Sequence, residues 1–173
     1  MVNPLPSVDA GNNIDLCIGD SIQLNANGGV SYAWSPNDSI SDTTLIDPIV
    51  WPVVDTDYFV TVTDSNGCVN NDSLTISINP LPIVSAGNND TICLGEFAQL
   101  IGTGAVNYLW SPAGSLNDNT IPFPIANPDS TTQYSLVGTD ANGCINYDAV
   151  EIFVRDLPTV EAGNDLAICL LYT

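Results

Sequence analysis

The sequence predicts an all-β protein in which one two-sheet unit is repeated in tandem. Cys17 and Cys93 are 76 residues apart, as are Trp34 and Trp110, and the spacing holds without a gap. Short apolar and polar alternations are separated by Gly, Asn, Asp and Pro clusters, and no helical period is visible. Seven or so short strands in each repeat are typical of two packed sheets.

The repeat divides the 173 residues into two complete units and the start of a third. We predict unit 1 over residues 1–79, unit 2 over 80–155 and a truncated repeat over 156–173. The chain is therefore expected to be a piece of a longer array. The junction from Ile78 to Pro82 contains two prolines and a leucine, so it should leave almost no free linker.

The strands of unit 1 follow from the alternation and the turn residues. The first strand is expected to split around residues 10–13, where Gly and Asn suit a kink. Pro48 and Pro52 restrict the middle of the unit to short edge strands. The predicted strands are 7–9, 14–17, 22–26, 31–34, one or two within 37–52, 56–64 and 72–78. In unit 2 the clearest strands are 98–101, 108–110, 133–137 and 149–154.

Trp34 and Trp110 fall on the third main strand of their units. An immunoglobulin-type core seats a tryptophan on the corresponding strand. Burial in the core is much more common for such a residue than a role as an exposed ligand platform. The prediction is therefore a tandem of immunoglobulin-like sandwiches with both side chains buried.

Combined motifs extend this prediction to a family. Leu-Pro-x-Val-x-Ala-Gly-Asn, Ile-Cys-x-Gly, Tyr-x-Trp-Ser-Pro and Tyr-x-Val-x-x-Thr-Asp-x-Asn-Gly-Cys follow one another along nearly the whole chain. The pattern resembles the PKD/immunoglobulin-like repeats of Bacteroidota surface proteins, including gliding-motility-associated adhesins. The resemblance implies export, usually through the type IX system, and a stalk or adhesive filament. The C-terminal sorting domain of such proteins is not in this sequence.

Composition excludes several classes of function. The net charge is −19, from 20 acidic residues and one basic residue, Arg155. Such a chain repels nucleic acids and anionic lipid surfaces, and no apolar run is long enough for membrane insertion. With no histidine, neither a Ser-His nor a Cys-His catalytic pair can be built. We expect no enzymatic activity and no cofactor other than, in one hypothesis, Ca²⁺.

The calcium hypothesis rests on a motif that occurs in both repeats. Asp64 and Asn66, and their counterparts Asp140 and Asn142, place oxygen ligands two residues apart in a turn. Nearby acidic residues that could complete a shell are Asp15, Asp20 and Glu96. Asp and Asn are also preferred in β-turns for backbone reasons alone. Both explanations fit the sequence.

Several hydroxyl residues follow an aspartate and precede or lie near an apolar residue. The resemblance to Bacteroidota proteins implies O-glycosylation at this pattern. The candidate residues are Ser21, Ser39, Thr43, Ser73, Thr91 and Ser130, of which Ser21 is the weakest because it opens a strand. Three of these motifs overlap Asn-x-Ser/Thr sequons at Asn37, Asn71 and Asn89, which a eukaryotic secretory pathway would modify at the Asn instead.

The 5 cysteines are an odd number, which strand direction can explain. Cys17 ends the first strand at one end of unit 1, whereas Cys68 lies in the hairpin at the opposite end. A strand of about six residues would separate them by about 20 Å, too far for a disulfide.

In a head-to-tail array Cys17 instead faces Cys144 of the next unit. Cys68, Cys93 and Cys169 would then pair with further repeats of the same or identical chains. Pairing within each unit, Cys17 with Cys68 and Cys93 with Cys144, is the alternative, and reduced thiols are a third.

The sequence thus predicts a structural module of an extracellular, cell-surface filament or stalk, stiffened by disulfides and glycosylated. The alternative is an adhesin module that binds a ligand or surface glycans. The middle segment differs between units, with Trp51 in unit 1 at the position of Asn127 and Asp47 at the position of Phe123. Divergent exposed residues are what an adhesin needs.

Overall fold

The computed structural model describes residues 3–161 and residue 163. Unit 1 contains six strands: β1 (Ile14–Cys17), β2 (Ile22–Gln23), β3 (Ser31–Ser35), β4 (Ile49–Val50), β5 (Thr56–Thr63) and β6 (Val69–Asn79). Unit 2 repeats them as β7 (Asp90–Cys93), β8 (Ala98–Gln99), β9 (Asn107–Ser111), β10 (Ile125–Ala126), β11 (Thr132–Thr139) and β12 (Ile145–Arg155). The described part of the chain has no helix long and apolar enough to cross a membrane.

Each unit is a sandwich of one larger and one smaller sheet. In unit 1 the strand order is β1-β6-β5-β3 in the larger sheet and β2-β4 in the smaller, and unit 2 has the same arrangement. Each unit has its own hydrophobic core, to which both of its sheets contribute. The protein therefore has the predicted immunoglobulin-like fold, present twice.

The first strand of each unit is split between the two sheets, as predicted. Asp9 forms a bridge to Asn27 beside the smaller sheet, and the chain then crosses to the larger sheet. There β1 runs parallel to β6, with Cys17 opposite Asn79. The crossover requires a left-handed residue, and Gly11 supplies it with φ +94°.

The smaller sheet is more irregular than the sequence predicts. The strand expected over 22–26 is regular only at its first two residues. Leu24 and Ala26 still donate backbone hydrogen bonds to the carbonyls of Pro48 and Ile46, at 2.8 and 2.9 Å. Because Pro48 has no N–H to donate to Leu24, the regular strand pairing ends before Pro48, although Ala26 still donates to Ile46.

The last strand is longer than predicted. We expected it to begin at residue 72, but β6 starts at Val69 because Val69 already pairs with Thr63 across the hairpin. β12 extends equally early in unit 2, starting at Ile145. Polar residues at the start of each strand conceal this extension in the sequence.

The two tryptophans occupy the cores. Trp34 is 4% exposed and Trp110 is 1% exposed. Each indole Nε1 donates to a backbone carbonyl, that of Leu45 at 2.9 Å and that of Ile121 at 3.1 Å. The rings thus fill the cores while their only polar atom is satisfied.

Candidate functional site at the interunit junction

The two units meet at a short, anchored junction. At its start, the backbone N–H of Ile18 donates to the carbonyl of Asn79 at 2.9 Å. At its end, the side chain of Asn146 donates to the carbonyl of Pro82, also at 2.9 Å. Only Pro80 and Leu81 lie between these anchors. The end of unit 1 where β1 and β6 finish is therefore held against the end of unit 2 that contains the β11–β12 turn.

A disulfide crosses this junction between Cys17 and Cys144. The two Cα atoms are 5.6 Å apart, within the usual range for such a bond. Cys17 ends β1, and Cys144 immediately precedes β12. This is the pairing that strand direction predicts. A groove with apolar walls from Ile18, Leu81 and Tyr147 lies beside the bond.

The structure also explains why pairing within unit 1 does not occur. Cys68 precedes the first residue of β6, whereas Cys17 lies opposite Asn79, its last residue. The 11 residues of β6 therefore separate the two cysteines. At about 3.3 Å per residue this is about 35 Å. Our sequence estimate of about 20 Å was too small because it assumed a shorter strand.

An aspartate shapes each hairpin tip. The Oδ1 atom of Asp64 accepts the backbone N–H groups of Asn66 and Cys68, both at 2.8 Å. The Cys68 N–H is the main reason that the pKa of Asp64 lies below its ordinary value. Asp140 accepts the N–H groups of Asn142 and Cys144 in the same way, both at 2.9 Å. The aspartate thus positions the cysteine that follows it.

These contacts bear on the calcium hypothesis. Asp64 and Asp140 have a role in the turn that requires no metal. Glu96, one of the proposed additional ligands, accepts the backbone N–H of Cys93 at 2.8 Å. Among residues 3–161, no three His, Cys, Asp or Glu side chains are grouped to hold a metal ion. The role of the two aspartates in the turns is thus observed, and the calcium site stays a prediction.

Cys68 and Cys93 are unpaired in the structure, and both are half-buried. Cys68 is the counterpart of Cys144 at the hairpin end of unit 1. Cys93 is the counterpart of Cys17 at the opposite end of unit 2. The two thiols therefore mark the two outward-facing ends of the pair of units. Cys169 lies outside the described residues.

The candidate glycosylation residues differ in exposure. Ser21, Ser73, Thr91 and Ser130 are exposed, whereas Ser39 and Thr43 are half-buried. The backbone carbonyl of Ser39 also accepts the Tyr58 hydroxyl at 3.2 Å. Space for a glycan is thus greatest at the four exposed residues.

The cross-strand register relates Trp51 to a second exposed aromatic residue, Phe97, which was not predicted from the sequence. Ile22 pairs with Val50, so the preceding Ser21 lies opposite Trp51. In unit 2, Phe97 lies opposite Asn127 in the same way. Each unit therefore exposes one aromatic ring from the same pair of positions. Only the strand register, which the sequence does not give, relates Phe97 to Trp51.

Two side-chain anchors at the start of the units were also not predicted from the sequence. The side chains of Asn70 and Asn146 hold the start of their units through the carbonyls of Pro6 and Pro82. Both asparagines are identical between the repeats although they lie within a strand, where asparagine is disfavoured. That identity was the available signal.

Comparison with known proteins adds similarity of fold only. No protein-family model matches the chain, and no curated protein matches it. Among solved structures, Drosophila OTK extracellular domains 3–5 have 14% identity and a TM-score of 0.42, covering 88% of this chain and 61% of that one. Fibronectin(III)-like modules of Clostridium thermocellum CbhA have 13% identity and a TM-score of 0.42, covering 92% and 100%. The PKD domain of KIAA 1837 protein has 18% identity and a TM-score of 0.38, covering 46% and 92%.

Proposed function

We propose that this chain is a structural module of an extracellular stalk or filament built from tandem immunoglobulin-like repeats. The observation that carries the proposal is the disulfide across the junction. A covalent bond between neighbouring sandwiches restricts bending between them, which a stiff rod needs and an isolated domain does not. The anchors at Asn79 and Pro82 support the same conclusion because they leave only two residues free to move.

The partners in this proposal are further repeats of the same or identical chains. Cys68 and Cys93 present at the outward ends the two halves of the bond that joins units 1 and 2. The residues 156–173 would begin the next unit. The motif resemblance supports a Bacteroidota surface protein as the parent, and the exposed Ser21, Ser73, Thr91 and Ser130 are its proposed glycan sites.

Electron microscopy of the native particle, labelled with an antibody against this chain, tests the stalk. We expect extended surface fibres with regularly spaced beads. A compact particle, or label confined to the cell interior, would contradict the proposal. The glycans are tested separately by the intact mass of native material. A mass equal to that of the bare polypeptide would exclude them.

Adhesion is the second candidate, and the exposed aromatic rings favour it. Trp51 is 45% exposed and Phe97 is 69% exposed. Aromatic rings in such positions can stack on sugar rings or on partner side chains. Binding of the chain to a glycan array, lost in the Trp51→Asn and Phe97→Ser variants, would support adhesion. Binding that persists in both variants would contradict this site.

A further inference from the structure

The disulfide provides a second covalent route through the molecule. The backbone route from Cys17 to Cys144 passes through everything between them, at a sequence separation of 127. The route through the two sulfur atoms passes directly from unit 1 to unit 2. A force that pulls on the two chain ends is carried by the shorter route. The residues between Cys17 and Cys144 cannot be stretched while the disulfide holds the two ends of their loop together.

The segments on this shorter route are already nearly straight. β1 leads into Cys17, and β12 leads away from Cys144. Strands extend by about 3.3 Å per residue, against a maximum of about 3.6 Å. Within β1 and β12 the route therefore contains little slack.

The strands that lie beside this route run in the same direction. β1 is parallel to β6, with four residue pairs from Ile14 opposite Ile76 to Cys17 opposite Asn79. In unit 2, β12 is parallel to β7, from Ile152 opposite Asp90 to Arg155 opposite Cys93. β6 begins next to Cys68, and β7 ends at Cys93. A second route of the same kind would thus enter at Cys68 and leave at Cys93.

We propose that β1 and β12 are the tension-bearing strands of this chain, and that the strands inside the disulfide loop are shielded from force. In this chain the load passes along β1, through the Cys17–Cys144 bond and along β12. This inference rests on the proposed stalk function. In an array, Cys68 and Cys93 would bond to neighbouring repeats and complete the second route along β6 and β7. Each unit would then contain one strand of each route, side by side.

Formation of these additional bonds requires an oxidant. Each pair of thiols loses two protons and two electrons, and an external disulfide accepts them to become two thiols. The bond between Cys17 and Cys144 alone is sufficient for the first route. The experiment therefore addresses that bond in the present chain.

Single-molecule stretching of the 173-residue chain tests the proposal. Both termini are held through peptide tags, in a Cys68→Ser, Cys93→Ser, Cys169→Ser background that leaves the junction bond intact. The oxidised chain can extend only about 45 residues, those outside the loop, to about 160 Å. With a thiol reductant present, all residues can extend, to about 620 Å.

The expected result is a tether that stops near 160 Å when oxidised and lengthens about fourfold after reduction. An added Cys17→Ser substitution should give the long tether without reductant. These lengths do not depend on whether the reduced chain folds. An oxidised tether that exceeds 160 Å would overturn the proposal, as would a peptide map without the Cys17–Cys144 bond. The microscopy of the native fibre is independent of both outcomes.

Discussion

Units 1 and 2 share a hydrogen bond at the end of the last strand although its acceptor residue differs. The backbone N–H of Ile78 donates to the carboxylate of Asp55 at 2.7 Å. Its counterpart, Val154, donates to the hydroxyl of Thr131 at 3.1 Å. The hydrogen bond is thus present in both units, although its acceptor is a carboxylate in one and a hydroxyl in the other. The comparison teaches that a backbone N–H can keep a side-chain acceptor between the repeats although the acceptor residue differs.

The cores show a similar exchange. In unit 1, Gly29 lies against the side chain of Val62, and a Cβ at Gly29 would clash with it. In unit 2 the same two positions are Ala105 and Gly138, so the larger residue lies just before β9 instead of within the hairpin strand. The glycine has thus changed position between the units, while the pair in unit 2 is smaller, because Ala105 has two carbon atoms fewer than Val62.

The largest expected effect comes from removing a core tryptophan. Trp34→Ala and Trp110→Ala should each cost about 3–5 kcal/mol, because each leaves a cavity and an unpaired carbonyl. In a Trp51→Asn background the remaining tryptophan reports on the intact unit during denaturation. We expect its fluorescence transition to lie at higher denaturant than the far-UV circular dichroism transition of the damaged unit. Coincident transitions would show that the two cores unfold as one.

A smaller effect is expected from reversing the core exchange. Gly138→Val places a Cβ about 2.5 Å from a methyl group of Val84 and 2.9 Å from Ala105. Such overpacking costs about 1–3 kcal/mol. Adding Ala105→Gly should recover part of this loss, as a double-mutant cycle in urea would measure. Strict additivity would mean that the exchange between the units is not compensatory.

Asp72 provides a still smaller and pH-dependent effect. Its Oδ2 accepts the N–H of Ala10 at 2.9 Å, and this bond is the main reason that its pKa lies below the ordinary value. A lowered folded pKa stabilises the protein above the unfolded pKa of about 3.9, and the contribution disappears as pH falls through the folded pKa. Asp72→Ala should therefore cost about 1 kcal/mol at pH 7 and progressively less below about pH 4.

The matched control for Asp72 is Asp15→Ala. It removes an equal charge from an exposed position and so corrects for the repulsion in this strongly acidic chain. Denaturant midpoints of the two variants between pH 3 and pH 7 give the difference. An Asp72 effect that is equal at both ends of this range would exclude the charged hydrogen bond as its cause.

The smallest effect is expected where the units differ on their exposed faces. Trp51→Asn gives unit 1 the residue that unit 2 has at this position, Asn127. Because Trp51 is 45% exposed, we expect a change in unfolding free energy within about 0.5 kcal/mol. Phe97→Ser makes the corresponding change in unit 2. A loss of more than 1 kcal/mol in either variant would show that these rings stabilise the sandwich.

The sequence was sufficient for the fold and for the disulfide because both depend on direction and period. Alternating strands place Cys17 and Cys68 at opposite ends whatever the exact length of β6. Strand lengths were less predictable, since the polar residues Asn70, Asn71 and Asp72 hide the beginning of β6 among turn residues. The position of Phe97 beside Asn127 was also beyond prediction. It depends on which residues face each other across a two-residue ladder.

The loop closed by Cys17 and Cys144 also affects how the protein responds to proteolysis. A protease that cuts one peptide bond anywhere from residue 18 to residue 143 leaves both fragments joined through sulfur. On a non-reducing gel the cut chain would still migrate as one molecule. Exposed loops such as residues 112–120 lie inside this protected interval. One cut within the loop therefore leaves the two ends of the chain covalently connected, whereas a second cut would release the segment between the two sites.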